Sequence, residues 1–251
     1  MTRVLEVRAL AKAFGGVRAL RGVDLDLDAG QLLALIGPNG AGKSTCFNLI
    51  NGQLRPDAGS VRFLGRELIG LPPRRIWRLG VGRTFQVAAT FASMSARENV
   101  QMALLSHHRR LRRLVGSAGD LYKQEASDLL ERVGMLELSQ RAAGVLAYGD
   151  VKRLELAMAL AHKPRLLLMD EPTAGMAPAE RRSLMALTGE IVRAEGIAVL
   201  FTEHDMAAVF SHADRIVVLD RGGKIADGRP EEVRRDPRVQ ASYLGSFGAP
   251  P

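Results

Sequence analysis

Three stretches of this sequence predict an α/β fold. The apolar run Leu32-Leu33-Ala34-Leu35-Ile36 leads into Gly37-Pro38-Asn39-Gly40-Ala41-Gly42-Lys43-Ser44-Thr45 and then into a helical pattern. A second apolar run, Leu166 to Met169, ends on Asp170-Glu171; a helical pattern from about Pro178 to Glu195 and a strand from Ile197 to Phe201 follow it. Before either, Val23-Asp24-Leu25-Asp26-Leu27-Asp28 alternates strictly. A strand apolar at every position is buried on both faces, as in a parallel sheet covered by helices. Strict alternation marks an antiparallel strand with one face toward water.

The elements follow in order. Val4 and Val7 mark a first strand, and Phe14-Gly15-Gly16 puts an aromatic residue in a turn before the alternating strand. Ala29-Gly30 turns the chain into the strand that precedes the glycine-rich loop. A short helix from about Lys43 to Asn51 is ended by Gly52. Arg55 to Ser60 reads as a turn and Val61 to Leu64 as a short strand; Pro72-Pro73 opens a short helix carrying Trp77, for which core packing is the default role. Val81 to Phe85 reads as a strand that stops at the polar Gln86. From about Val87 to Leu146 helical signals replace strand signals. Ser95 and Glu98 form a capping box, Ala126, Leu129, Leu130 and Val133 share one helical face, and Gly134 sits where a C-cap is needed. This block, 87–150, reads as a helical insertion into an α/β core formed by 1–86 and 151–251. A helix after Leu146-Ala147-Tyr148-Gly149-Asp150 runs to about His162, with Leu154, Ala157, Met158 and Ala161 on its apolar face. Ile216 to Leu219, a turn at Asp220 to Gly223, and Lys224 to Ala226 form a hairpin. The tail from Arg229 is short-helical and polar, with Pro250-Pro251 loose.

Length and composition narrow the function. A chain of 251 residues, 47% hydrophobic and 25% charged, suits one large globular domain or a domain with an insertion. No apolar run approaches the ~18 residues that span a bilayer. Met1 to Gly30 carries acidic residues where a signal peptide needs an unbroken apolar segment. The expectation is a cytoplasmic chain, held at a membrane only by a partner. The single cysteine, Cys46, reads as a small buried residue, excludes an intrachain disulfide and suits a reducing compartment. A net charge of +8 permits an anionic partner without requiring one. Arg74-Arg75, the run His107 to Arg113 and Arg234-Arg235 read as solvated faces.

The chemistry lies at the strand ends. In Gly37 to Thr45, glycines allow backbone conformations closed to other residues, so successive N–H groups converge on phosphate oxygens. Lys43 adds a mobile positive charge for the β- and γ-phosphates, Ser44 a hydroxyl for Mg²⁺, and the helix that follows its positive dipole end. Asp170 and Glu171 stand at the C-terminal end of a buried parallel strand, where ligands bind in open α/β sheets. His204, taken singly, is more often structural than catalytic; its place at the next strand's end brings it toward the same edge.

These residues resemble the ATP-binding cassette (ABC) ATPases over nearly the whole chain. Gly37 to Thr45 resembles the family's Walker A motif, Leu166 to Glu171 its Walker B, Gln86 its Q-loop, Leu146 to Asp150 its signature segment and His204 its switch histidine. Gly82-Arg83-Thr84-Phe85-Gln86, Leu146 to Gly149 with Arg153-Leu154-Glu155, and the ending Ala226-Asp227-Gly228 through Tyr243-Leu244-Gly245 resemble the ATPase subunits of branched-chain amino-acid importers. The resemblance implies a P-loop NTPase (RecA-like) core with an N-terminal antiparallel β-subdomain and an inserted α-helical subdomain. It implies ATP as substrate with Mg²⁺, held by Gly37, Pro38, Asn39, Gly40, Ala41, Gly42, Lys43, Ser44 and Thr45. Ser44, Gln86 and Asp170 would serve the metal; Glu171 would orient and polarise the attacking water. His204 would contact the γ-phosphate, and Gln86 would report to the helical insertion. Phe14 would stack on adenine. Gly149 would close over ATP held by a second ATPase subunit, identical or paralogous.

The further partners implied are transmembrane permease subunits and, through them, a periplasmic solute-binding protein, with no nucleic acid; the chain would be peripheral on the inner face of the membrane. Transport of another cargo, such as urea, amides or lipid, and a soluble role on nucleic acid or the ribosome are the alternatives. The chain departs from the common pattern at Ala147, where serine is usual, at Asp150, where glutamine is usual, and at Ala177, where an aspartate often meets the partner.

Overall fold

The computed structural model describes residues 2–84, 90–108 and 121–244. The expectations for Phe85, Gln86, Arg109–Arg113, Gly245 and Pro250–Pro251 lie outside the described residues. Two sheets are built. β1 (Arg3–Phe14), β2 (Val17–Asp28), β4 (Ala58–Phe63) and β5 (Arg66–Glu67) form an antiparallel sheet in the order β2-β1-β4-β5. β3 (Leu32–Ile36), β6 (Val81–Thr84), β7 (Leu166–Asp170), β8 (Ala198–Thr202), β9 (Arg215–Asp220) and β10 (Gly223–Gly228) form the second, in the order β10-β9-β3-β8-β7-β6. All neighbours in it are parallel except β10 with β9. The C-terminal ends of β3, β8 and β7, adjacent in the sheet, therefore open on one edge.

Alternation along each strand divides the apolar residues between two cores. Leu33 and Leu35 of β3, with Leu168 and Leu200, face the antiparallel sheet and the helix α1 (Lys43–Ile50), where Phe47 and Ile50 complete the packing. Leu32, Ala34 and Ile36 face the other way, with Leu167, Met169 and Phe201, onto a helical layer. That layer contains α3 (Ala96–His107), α4 (Lys123–Arg132), α5 (Tyr148–Leu160) and α6 (Pro178–Glu195), which contribute Val100, Leu104, Leu130, Leu154, Ala157 and Leu184. The start of α3 is the capping box: Ser95 Oγ accepts from the Glu98 N–H at 3.2 Å and Glu98 Oε2 accepts from the Ser95 N–H at 2.7 Å. Gly134, at φ +70°, takes the chain out of α4. Cys46 is fully buried, and burial pushes its thiol up to about 12.

Two local expectations are corrected, and one element is added. Residues 58–60 belong to β4 and not to a turn: Gly59 lies so close to β1 that a Cβ there would meet the Arg8 and Ala9 carbonyl oxygens at 2.5 Å, so a crossing contact explains the turn-like composition. Trp77, in α2 (Pro73–Arg78), is only half-buried; Ile76 is the core residue, and the indole instead stacks on His162 with ring centroids 4.9 Å apart. A short helix, α7 (Met206–His212), follows β8 where periodicity gave no signal. It is capped by Asp205, whose Oδ1 accepts from the Ala208 N–H at 3.1 Å. Among the described residues, no helix is long and apolar enough to cross a membrane.

Candidate active site

The glycine-rich loop leaves the buried end of β3 and passes between β2 and β9. A Cβ on Gly37 would lie 2.0 Å from the Leu219 carbonyl oxygen, and one on Gly42 would lie 2.5 Å from that of Ala19. Both residues also have positive φ, +149° and +106°. Packing and backbone geometry therefore exclude a side chain at each. Asn39 and Gly40 are exposed at the loop tip, Pro38 and Thr45 are partly buried, Ala41 is buried, and Ser44 is exposed. No side chain caps the first turn of α1 and no acidic residue lies in it, so its amide end is left for an anion.

Lys43 is folded over this loop. Its Nζ donates to the Gly37 carbonyl at 2.6 Å and to that of Pro38 at 3.1 Å. Burial lowers its pKa, and the carboxylates of Glu171 and Asp170 oppose that shift.

Asp170 ends β7 in register with Thr202 of β8. Thr202 Oγ1 donates to Asp170 Oδ1 at 2.7 Å, while Arg83 Nη2 lies 3.4 Å from Asp170 Oδ2. Arg83 Nη1 also donates to Asn48 Oδ1 at 2.9 Å and to Gln53 Oε1 at 3.0 Å, so the guanidinium ties β6 and β7 to α1 and the turn after it. One carboxylate and one hydroxyl, Asp170 and Ser44, suit Mg²⁺, which keeps waters and phosphate oxygens in its shell. Among the described residues no group of three or more His, Cys, Asp or Glu could hold a metal in an all-protein cage.

Glu171 has φ +49°, a conformation few non-glycine residues take. Its N–H is held by the Thr202 carbonyl at 3.2 Å and by Thr202 Oγ1 at 3.0 Å. The turn aims the carboxylate at His204, with Oε1 2.8 Å from Nε2. Sequence reasoning passed over Thr202, Arg83 and Glu203. Glu203 is 3% exposed, and its carboxylate accepts from the Thr173 N–H at 2.9 Å, from the Thr173 hydroxyl and from the His204 N–H at 3.1 Å. The only available sequence signal was its place next to His204.

Lys43, Asp170, Glu171 and His204 thus converge. Gly149 is not one of this group. It is buried in the first turn of α5 against α6, where a Cβ would meet Glu180 Oε1 at 3.2 Å. Ala147 stands at the N-cap of that helix and gives it no side-chain cap. Phe14 ends β1 with 46% of its surface exposed, and the Lys12 ammonium lies 5.5 Å from its ring centroid.

The profile of the family described as ABC transporter matches residues 20–174. This chain belongs to the ABC transporter family. A second profile, described as branched-chain amino acid ATP-binding cassette transporter, matches residues 224–248. The chain is 41% identical to the high-affinity branched-chain amino acid transport ATP-binding protein BraF of Pseudomonas aeruginosa, over 96% of this chain and 98% of the relative. It is 39% identical to LivG of Salmonella typhimurium, a protein of the same description, over the same shares. The crystal structure of the ADP conformation of an ATP-binding cassette from an ABC transporter superposes with a TM-score of 0.86 at 30% identity, over 98% of this chain and all of that one. The cassette fold expected from the sequence is thereby established. ATPase activity is expected of a cassette of this family, and Lys43, Asp170, Glu171 and His204 lie together at one sheet edge of this chain.

Proposed function

We propose that this chain is the ATP-hydrolysing subunit of a membrane importer for branched-chain amino acids, with its reaction centre at the C-terminal ends of β3, β7 and β8. The observation that carries the proposal is the pairing of Glu171 with His204 beside the Lys43 loop. ATP would lay its phosphates on Gly37 to Thr45, and Lys43 would exchange the Gly37 and Pro38 carbonyls for phosphate oxygens. Ser44 and Asp170 would hold Mg²⁺, which when bound neutralises charge on the β- and γ-phosphates. Glu171 orients a water and takes its proton as the water oxygen bonds to the γ-phosphorus and the bridging P–O bond breaks, releasing ADP. His204 contacts the γ-phosphate.

Gln86, outside the described residues, would sense the metal or water and report to a helical unit at 87–150. Phe14 would stack on adenine; its exposure supports the reading. Gly149 would serve the ATP of a second ATPase subunit, closing two nucleotides into a head-to-tail pair. Closure would drive transmembrane permease subunits supplied by a periplasmic binding protein, with this chain peripheral on the inner face of the membrane. The cargo assignment rests on BraF and LivG and on the match at 224–248.

Two measurements test the proposal. The purified chain should hydrolyse ATP, and cells lacking it should lose uptake of labelled leucine, isoleucine and valine while uptake of urea continues. Unchanged uptake of all three amino acids would overturn the cargo, and absence of hydrolysis would overturn the site.

A further inference from the structure

Glu203 is a charged side chain placed where charge is costly. It is 3% exposed at the end of β8, and taking an ionised carboxylate out of water is unfavourable unless donors replace the lost hydration. Three donors do so, and they come from two separate loops. Thr173 gives its N–H and its hydroxyl from the turn after β7, and His204 gives its backbone N–H from the turn after β8. Thr173 is itself 1% exposed. The next residue back, Thr202, carries out the matching task on the other side: it accepts from the Glu171 N–H and donates to Asp170. The two loops that present Glu171 and His204 are therefore joined by the last side chain of β8 and the one after it, and among the described residues Glu203 is the one whose side chain reaches the His204 peptide.

We infer that Glu203 is a positioning residue for hydrolysis, fixing the His204 backbone relative to the 171–173 turn so that the imidazole meets Glu171 and the γ-phosphate. The inference rests on the assignment of Glu171 and His204 proposed above. Its chemical basis is the acceptor-only character of a carboxylate. Each oxygen of Glu203 faces a donor: Oε1 the Thr173 groups, Oε2 the His204 N–H. A glutamine of the same shape can satisfy Thr173 with its Oε1, but it then turns an NH₂ toward the His204 N–H. Donor would face donor, the tether to His204 would be lost, and the packing volume would be kept.

The test uses the full chain with Glu203→Gln and, as a second variant, Glu203→Asp, whose carboxylate is one methylene too short to serve both loops. Rates are expressed per ATP-binding site, so that partial unfolding does not enter. kcat should fall about ten- to a hundredfold in either variant, the loss expected when a reacting group is displaced by about 1 Å. KM and the Kd for ATP should stay within about twofold, because no phosphate contact is removed. In ring ¹H–¹⁵N spectra the His204 signal should move while the other four histidines of the chain keep theirs. A kcat per site within about twofold of the native chain, an unmoved His204 signal, or failure of both variants to fold would assign Glu203 a purely structural role and overturn the inference. A native chain without ATPase activity would overturn the underlying site assignment. A native chain that hydrolyses ATP beside an equally active Glu203→Gln overturns this inference alone.

Discussion

Glu171 Oε1 and His204 Nε2 lie 2.8 Å apart although the residues are 33 positions apart in the chain. The contact exists because β7 and β8 are parallel neighbours in register, Asp170 against Thr202, so the residues just past each strand end meet. The Glu171 φ of +49° turns its carboxylate into that gap.

Replacing Glu171 with glutamine keeps the shape and a hydrogen-bonding partner for His204 but removes the proton acceptor. Turnover should fall by about 10²- to 10⁴-fold, the span of a lost general base. ATP affinity should hold within about twofold. Steady-state phosphate release and equilibrium nucleotide binding measure the two effects, and full ATPase activity in Glu171→Gln would refute the assignment.

Gly37→Ala should abolish nucleotide binding for a backbone reason. A methyl group there would sit 2.0 Å from the Leu219 carbonyl oxygen, so either the loop or β9 must move. The expected loss of stability is about 1–3 kcal/mol, read by urea unfolding, together with loss of ATP binding measured by calorimetry. Gly40→Ala is the contrast: nothing lies within 4 Å of a Cβ there, so its cost comes from its φ of +80° and stability should suffer less.

Ala147→Ser is expected to be a gain. Ala147 occupies the N-cap of α5 without capping it, and a serine hydroxyl at an N-cap stabilises a helix by about 0.5–2 kcal/mol. If α5 faces a partner's ATP, the same hydroxyl adds one hydrogen bond to phosphate, about 1 kcal/mol and so about fivefold in ATP-dependent pairing of subunits. Thermal unfolding reads the first gain and analytical ultracentrifugation with ATP the second. A rise in stability without improved pairing would separate α5 from the shared site.

His162 gives a pH signature. Its ring is buried under Trp77, its Nε2 has no hydrogen-bond partner among the described residues, and burial lowers its pKa from 6.5 to about 4, with His107 adding to the shift. The unfolded chain therefore takes the proton first. Stability is full above about pH 6.5 and is lost as the pH falls toward about 4. Between pH 7 and pH 5 the loss should be roughly 2 kcal/mol. In His162→Leu that part of the slope should vanish, whatever the variant's stability at pH 7. Urea unfolding of both proteins at the two pH values measures the difference; equal slopes would refute it.

Much of the site could be read from residue order. Glycine, lysine and hydroxyl residues between an apolar strand and a helix have few other uses, and Asp170-Glu171 at the end of Leu166 to Met169 has an unusual polarity break. Arg83, Thr202 and Glu203 carry no such mark. An arginine, a threonine and a glutamate are ordinary at a strand end, and their partners are distant in the chain: Asp170 for Arg83 and Thr202, Thr173 for Glu203. Gly59 misled for the opposite reason, since a glycine needed for a close crossing inside a strand looks like a glycine needed for a turn.

The sequence by itself determined the α/β class, the two kinds of sheet, the glycine-rich loop between strand and helix and the acidic strand end. Each of these depends on local periodicity or on a short run of residues whose backbone and charge requirements are self-contained. Only the tertiary structure decided that β3 lies between β8 and β9, that Thr202 stands opposite Asp170, and that Glu203 ties the His204 peptide to Thr173. Strand order and register are set by the packing of two opposed cores, and a hydrogen bond between loops exists only once that packing has fixed their separation.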